Sequence, residues 1–177
     1  MNNIFNNVNY NIPFLKSYIA ILKNKQVVSN RDKTRKVIQE ATEELASYFQ
    51  HMPSDIDEIF DSLINHLRKN PTIFSSAFAF SPEIYSSCPF VLRGINGFES
   101  RDIAQEFQYA NTVWYDVPVK QKKAVWSVPY FDIGKAGEDI LLTTYSIPVF
   151  YEGCKVMGVL ISDLLLARLE DIQKNNS

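Results

Sequence analysis

The first seventy residues carry hydrophobic side chains at a helical spacing, with apolar positions that repeat every three to four residues. A polar break at 24–34 separates the first helix from the second, and Pro53 ends the second helix. Ser54 and Asp57 are spaced as a capping pair at the start of the third helix. The predicted helices are 8–22, 37–52 and 56–67.

Beyond Pro71 the pattern changes to partial alternation and short apolar runs rich in aromatic residues, which predicts β-strands. Residues 109–123 are expected to form a short helix or a loop, and a closing helix is expected over 164–174. Helices followed by a run of strands indicate an α+β domain, in which an antiparallel sheet packs one face on a long N-terminal helix. The predicted strands are 72–80, 89–95, 98–105, 124–131, 140–151 and 155–164.

The composition restricts the classes of function. The chain has 177 residues, of which 46% are hydrophobic, and it contains 18 Lys and Arg residues and 20 Asp and Glu residues. This balance lacks the basic charge of a nucleic-acid-binding protein, so no nucleic-acid partner is expected. No stretch approaches the ~18 uninterrupted apolar residues that a membrane helix requires. Cys88 and Cys154 are too few for a disulfide scaffold, and either two free thiols or one disulfide would fit them.

Catalytic motifs are nearly absent. The sequence contains no Walker loop, GxGxxG, GxSxG or HExxH motif and no Cys/His spacing typical of a metal site. No cofactor and no metal are therefore expected. A hydrolase that uses Asp132 and Asp163 is a rival hypothesis, but no nucleophile or metal set accompanies these two carboxylates.

Aromatic and acidic side chains concentrate between residues 107 and 163. Within this segment Asp163 interrupts the apolar run 156–166, in a strand that should be central. A buried carboxylate there is costly unless it is paired or hydrogen-bonded. Either the strand ends at Asp163, or Asp163 caps the final helix, or a pocket with aromatic walls and carboxylates holds an amine-bearing molecule. The candidate ligand-binding residues are Trp114, Tyr115, Trp126, Tyr130, Asp132, Tyr145 and Asp163.

Four ordered motifs in the same segment resemble the ligand-binding half of Cache sensor domains. Upstream, NPTIFSSAFAFSPE at 70–83 resembles the family's first strand after its long helix, so the resemblance covers about residues 31–170. It implies a PAS-like Cache fold, with a five- or six-stranded antiparallel sheet and long N-terminal helices. The implied domains are an N-terminal helical segment, 1–30, and a single Cache sensor domain, 31–177. The four motifs are VWYDVP at 113–118, WSVPYFD at 126–132, LLTTYSIPVF at 141–150 and KVMGVLISDLLL at 155–166.

The resemblance implies a sensor rather than an enzyme. Cache domains of this kind lie outside the cytoplasmic membrane of bacteria, in the periplasm or extracellular space, between transmembrane helices of the full-length protein. This version most resembles domains attached to metal-dependent serine phosphatases, and similar ones precede histidine kinases. The expected partner is a small-molecule ligand, and the apolar stripe at 8–22 would suit a homodimer through the N-terminal helix. The alternative is a ligand-free structural or dimerisation module.

Ligand contacts transfer from the family residue by residue. In amino-acid-binding members a WY pair, here similar to Trp114 and Tyr115, lines the pocket. Carboxylates that correspond to Asp132 and Asp163 receive the ligand ammonium in a charge-assisted pairing, with Tyr130 beside them.

The sequence departs from this pattern at one position. Such members carry an Arg two residues before the Trp to hold the ligand carboxylate, and this sequence has Thr112 there. Arg93 and Arg101 are the candidates to replace it. An α-amino acid, an amine and another small metabolite therefore stay open as ligands.

Overall fold

A computed structural model of the chain describes residues 25–50, 55–106, 108–132, 140–151 and 155–168. The chain divides into two compact units, residues 1–36 and 37–177. Helix α1 spans Lys25–Phe49. The polar break predicted at 24–34 is therefore wrong from Lys25 onward, because the segment contains no Gly or Pro and its Lys, Gln and Arg residues favour helix. The helix predicted at 8–22 lies outside the described residues.

Helix α2 spans Ile56–Lys69 and begins at Asp55, whose side chain accepts a hydrogen bond from the Glu58 amide at 2.8 Å. The predicted capping pair is thus displaced by one residue, and Ser54 lies outside the described residues. Asp57 and Glu58 in the first turn complement the helix dipole.

Within the described residues, seven strands form one antiparallel sheet. The α+β fold is confirmed, and the strand count exceeds the predicted five or six because two short strands, β4 and β5, pair with different parts of β6. The order across the sheet is β3-β2-β1-β7-β6-β4, with β5 also on β6. The strands are β1 Ser75–Phe80, β2 Pro89–Gly94, β3 Gly97–Asp102, β4 Val125–Trp126, β5 Tyr130–Asp132, β6 Ile140–Tyr151 and β7 Lys155–Arg168.

Strand β7 is longer than its sequence pattern indicates. It pairs with β6 as far as Arg168, so the closing helix predicted over 164–174 is wrong at 164–168. Long-range pairing overrides the helix propensity of this Leu-rich stretch. Asp163 consequently lies inside a central strand, opposite Thr144 on β6 and Ser75 on β1, and neither ends the strand nor caps a helix.

The two faces of the sheet carry separate cores. Helices α1 and α2 cover one face, which we call the helix face, where Phe49, Leu63 and Phe78 are fully buried. A 3-10 turn at Tyr109–Asn111 and helix α3, Val113–Gln121, cover the other, which we call the loop face. No helix among the described residues is long and apolar enough to cross a membrane.

Candidate functional site

A narrow cavity of about 60 Å³ lies on the loop face of the sheet. Of the seven candidate residues, four line it: Trp114, Tyr130, Asp132 and Asp163. Its volume is that of about two water molecules, well below the 300–1,000 Å³ or so of a typical ligand pocket. The remaining lining residues are Phe74, Ser75, Phe90, Arg101, Ile103, Glu106, Leu142 and Ile161.

Asp163 is the most enclosed charged group among the described residues that line this cavity, with 3% of its surface exposed. Ser75 Oγ donates to its Oδ2 at 2.7 Å, and Thr144 Oγ1 donates to its Oδ1 at 2.5 Å. Tyr130 OH lies 2.8 Å from Thr144 Oγ1. Because the single Thr144 hydroxyl proton points to Asp163, Tyr130 donates to Thr144 and keeps its oxygen lone pairs for another donor.

The electrostatic environment of Asp163 favours a cationic ligand group beside it. Burial raises the pKa of Asp163 to about 6, and the nearby charge of Asp132 adds to this effect, while the Ser75 and Thr144 hydrogen bonds oppose it. Among the described residues, the groups that hydrogen-bond this carboxylate are hydroxyls rather than cations. At neutral pH the carboxylate therefore carries a buried negative charge that its two hydroxyl partners do not neutralise.

Tyr115 lies beside the cavity without lining it. It is buried in the loop-face core, with its ring centroid 5.5 Å from that of Tyr109. Consecutive residues of a helix point in directions about 100° apart, so Trp114 reaches the cavity while Tyr115 packs under it.

Trp126 and Tyr145 lie on the helix face instead. Alternation along β6 places Thr144 toward the cavity and Tyr145 on the opposite side, where its hydroxyl donates to Glu43 Oε1 at 2.8 Å. The Trp126 ring contacts the Tyr145 ring at a centroid distance of 5.1 Å. We therefore leave both residues out of the candidate site.

The two arginines considered as replacements at the Thr112 position have different surroundings. Arg93 donates to the carbonyl oxygens of Leu67, in the last turn of α2, and of Asn70 and Ile73, just beyond the helix, and it does not line the cavity. Arg101 does line it, and its Nε lies 3.1 Å from Glu106 Oε1. Sequence reasoning did not assign Glu106 a role.

A second polar cluster lies directly behind Asp163, on the helix face. Ser162 Oγ lies 3.0 Å from His66 Nε2 and 2.8 Å from Thr42 Oγ1. Burial lowers the pKa of His66 to about 4, so this imidazole is neutral at pH 7. The cluster joins both helices to the central strand at the residue next to Asp163.

The described residues include no group of three or more His, Cys, Asp or Glu side chains that could hold a metal ion.

Comparison with known proteins places the chain in a family. The model of the family described as "Methyl-accepting chemotaxis protein-like, first PDC sensor domain" matches residues 59–171, more than half of the chain. The chain belongs to this family. It is therefore a sensor domain and not an enzyme. No curated protein sequence matches it.

Solved structures of sensor domains share the fold. The extracellular domain of soHK1S-Z6, which is assigned as a histidine kinase, aligns at 25% identity with a TM-score of 0.72, over 92% of this chain and 66% of that chain. The ligand-binding domain of the Campylobacter jejuni chemoreceptor Tlp3 with 4-methylisoleucine aligns at 19% identity with a TM-score of 0.61, over 98% of this chain and 66% of that chain. The same domain with L-valine aligns at 17% identity with a TM-score of 0.61, over 94% of this chain and 67% of that chain.

The chain thus spans about two-thirds of the length of these solved chains. The Cache-like sensor fold predicted from the sequence is confirmed by the family match and by these similarities.

Proposed function

We propose that this chain is the extracytoplasmic ligand-sensing domain of a bacterial transmembrane signalling protein. In this proposal it binds a small amine-bearing metabolite in the cavity around Asp163 and passes the signal to a cytoplasmic kinase or phosphatase. The sensing domain would comprise residues 31–177, with 1–30 as a helical segment on the membrane side and transmembrane helices flanking both in the full-length protein.

The observation that carries the proposal is the buried Asp163 carboxylate. Its hydrogen bonds come from the hydroxyls of Ser75 and Thr144, which leave the net negative charge in place. A ligand ammonium would supply the missing positive charge and could donate to Tyr130 OH as well. Asp132, which lines the same cavity, adds a second carboxylate for the same group.

The rest of the wall suits the apolar body of such a ligand. Phe74, Phe90 and Trp114 present aromatic surface, and Leu142 and Ile161 present aliphatic surface. Aromatic faces also attract a cation. The Tlp3 structures that share this fold hold branched-chain amino acids, which have an ammonium and an apolar side chain.

The relatives support the proposed location and one of the two proposed outputs. The extracellular position of the soHK1S-Z6 domain supports an extracytoplasmic position for this chain, and its assignment as a histidine kinase supports a kinase output. A serine phosphatase output rests on the motif resemblance alone.

The test is thermal unfolding of the 177-residue chain with a panel of amino acids, primary amines and small carboxylates. A ligand at ~100 times its Kd adds about 2.7 kcal/mol, a shift of about 5–10 °C for a domain of this size. We expect amine-bearing compounds to stabilise the wild type and the control Asp116→Asn, which removes an exposed carboxylate from α3. Asp163→Asn should lose this response.

Two results would contradict the proposal. If no compound of the panel shifts the unfolding temperature, the ligand-free structural or dimerisation module becomes the better account. If a compound binds equally well to Asp163→Asn, the ligand site lies elsewhere.

A further inference from the structure

The candidate cavity adjoins a larger groove on the same face of the sheet. The groove has a volume of about 650 Å³, whereas the cavity has about 60 Å³. Asp163 lines the cavity and Leu165 lines the groove, and residues two apart on a strand point to the same side, about 7 Å from each other. Leu142, which lines the cavity, is the direct register partner of Leu165. Together the two spaces reach the size of a typical ligand pocket, which the cavity alone does not.

The Phe74 ring separates the cavity from the groove. Among the described residues that line these two spaces, Phe74 is the one that lines both. Its N–H donates to the Asp163 carbonyl oxygen at 2.8 Å, and its carbonyl oxygen accepts from the Arg93 N–H at 3.0 Å, so its backbone is fixed on both sides. The guanidinium carbon of Arg168 lies 5.9 Å from the centre of the ring. Only the side-chain torsions of Phe74 therefore have to change to join the two spaces.

Other walls of the cavity are backed by packed side chains. Ile103 and Ile161 are buried in the loop-face core, and Trp114 packs against that core, with its ring centroid 6.3 Å from that of Tyr115. Close-packed side chains resist displacement, because their neighbours would have to move with them. The cavity therefore expands most easily at Phe74, which has the groove behind it.

The groove suits the apolar part of a ligand. Its apolar lining comes from Leu92, Ile140 and Leu165, which pack together in one small hydrophobic cluster. Charged side chains, among them Glu99 and Arg168, line the groove as well. A ligand chain in the groove can therefore be apolar along its length and polar at its far end.

We propose that the groove is the second half of the ligand site and that Phe74 determines which ligands can use it. When a ligand binds, its ammonium pairs with Asp163, the Phe74 ring turns aside, and the apolar chain of the ligand lies in the groove beside Leu165. This inference rests on the proposed amine-binding role. It narrows the ligand class to primary amines with an extended apolar chain, as opposed to compact amines.

The test uses four straight-chain primary amines as probes: ethylamine, butylamine, hexylamine and octylamine. They are titrated calorimetrically into the 177-residue chain and into Phe74→Ala, Leu165→Thr and Asp163→Asn. Leu164→Thr is the matched control for Leu165→Thr, because Leu164 is the preceding half-buried leucine of β7 and packs against the core of the helix face instead.

We expect wild-type affinity to rise about tenfold or more from ethylamine to octylamine, since each buried methylene contributes about fourfold and displacement of Phe74 opposes part of this gain. Phe74→Ala should bind octylamine about tenfold more tightly than the wild type and ethylamine within about twofold, because only the longer chain displaces the ring. Leu165→Thr should weaken octylamine binding by about three- to tenfold and leave ethylamine binding within about twofold. Leu164→Thr should leave the ratio of the two affinities unchanged.

The inference is overturned if wild-type affinity does not rise with chain length, or if Phe74→Ala changes the affinities for ethylamine and octylamine by the same factor. Equal effects of Leu165→Thr and Leu164→Thr would also overturn it. If Phe74→Ala does not fold, Phe74→Leu takes its place, with a smaller change expected in the same direction.

The Asp163→Asn titrations separate this inference from the proposed function. When Asp163→Asn abolishes amine binding, the proposed amine-binding role survives a negative result at Phe74 and Leu165. When no amine binds, or when Asp163→Asn changes nothing, the proposed function fails and this inference fails with it.

Discussion

Replacing Asp163 by Asn should make the unliganded protein more stable at neutral pH while it removes ligand binding. The carboxylate is nearly fully buried and its hydrogen bonds come from two neutral hydroxyls, so its charge is poorly compensated in the folded chain. Asn has nearly the same shape, carries no charge, and retains a carbonyl oxygen that can accept from Ser75 or Thr144.

The magnitude follows from the pKa. Burial raises the pKa of Asp163 from 3.8 to about 6 in the folded chain. At about 1.4 kcal/mol for each tenfold change in proton affinity, the charged form costs the fold about 3 kcal/mol relative to the neutral form. Between pH 4 and 6 the folded chain binds more protons than the unfolded chain, so this contribution lowers stability as the pH rises through that window and is constant above it. The variant should gain up to about 3 kcal/mol at pH 7 and nothing near pH 4.

Urea unfolding of the wild type and the variant at several pH values between 4 and 7.5 measures this difference directly. At pH 7 the unfolding temperature of the variant should rise by about 6–12 °C. Asp116→Asn is the matched control, because it makes the same chemical change at an exposed position on α3 and should alter stability by about 0.5 kcal/mol or less.

A variant that is less stable than the wild type by the same amount at every pH would refute the reasoning. That result would mean that the two hydroxyl hydrogen bonds stabilise the fold by more than the buried charge destabilises it. The role of Asp163 would then be to link β1, β6 and β7 rather than to bind a cation.

Three further predictions concern pH and packing. Affinity for an amine-bearing ligand should fall about tenfold from pH 7 to pH 5, because the ligand ammonium pairs with the ionised form of Asp163. Titration calorimetry at both pH values measures this change, and an unchanged affinity would contradict the prediction. His66 has the opposite effect to Asp163 on the pH dependence of stability. Burial lowers its pKa from 6.5 to about 4, so the unfolded chain binds more protons than the folded chain between these pH values. The free energy of unfolding therefore decreases by about 3 kcal/mol as the pH falls through this window. His66→Gln should remove that decrease in urea unfolding, and an unaltered pH profile would contradict it. Gly158→Ala should cost about 3 kcal/mol, because the added Cβ would lie 2.4 Å from the Ala79 carbonyl oxygen, and a variant with wild-type stability would contradict the close approach of β1 and β7.

The sequence predicts most of the fold because helical spacing before residue 70 and strand-forming runs after it are clear in the sequence. The sequence predicts strand β6 with the bounds that the structure has, 140–151, because this run is rich in β-branched and aromatic residues and Glu152-Gly153, a pair typical of a hairpin turn, follows it. The end of β7 was missed because 164–168 is Leu-rich and favours a helix in isolation, and only its pairing with β6 makes it a strand.

The sequence identifies the carboxylates of the candidate cavity but not the residues beside them, for a related reason. Asp132 and Asp163 were identifiable as carboxylates among aromatic and apolar residues, and the structure places both at one cavity. Ser75 and Glu106 were not found, because their approach to Asp163 and Arg101 depends on strand register and loop geometry, which no local pattern encodes.

Strand alternation also gives the site a direct route to the helices. Ser162 and Asp163 are neighbours on β7, so their side chains point to opposite faces of the sheet. The Asp163 side chain points toward the cavity, and the Ser162 side chain points toward His66 and Thr42. Any movement that carries Asp163 toward a bound ammonium moves Ser162 with it. Hydrogen bonds weaken steeply with distance and angle, whereas apolar contacts on the same face tolerate small slides. In the proposed ligand-binding role, the helix-face contacts most sensitive to ligand binding are therefore the hydrogen bonds of Ser162 with Thr42 and His66, which tie the central strand to α1 and α2.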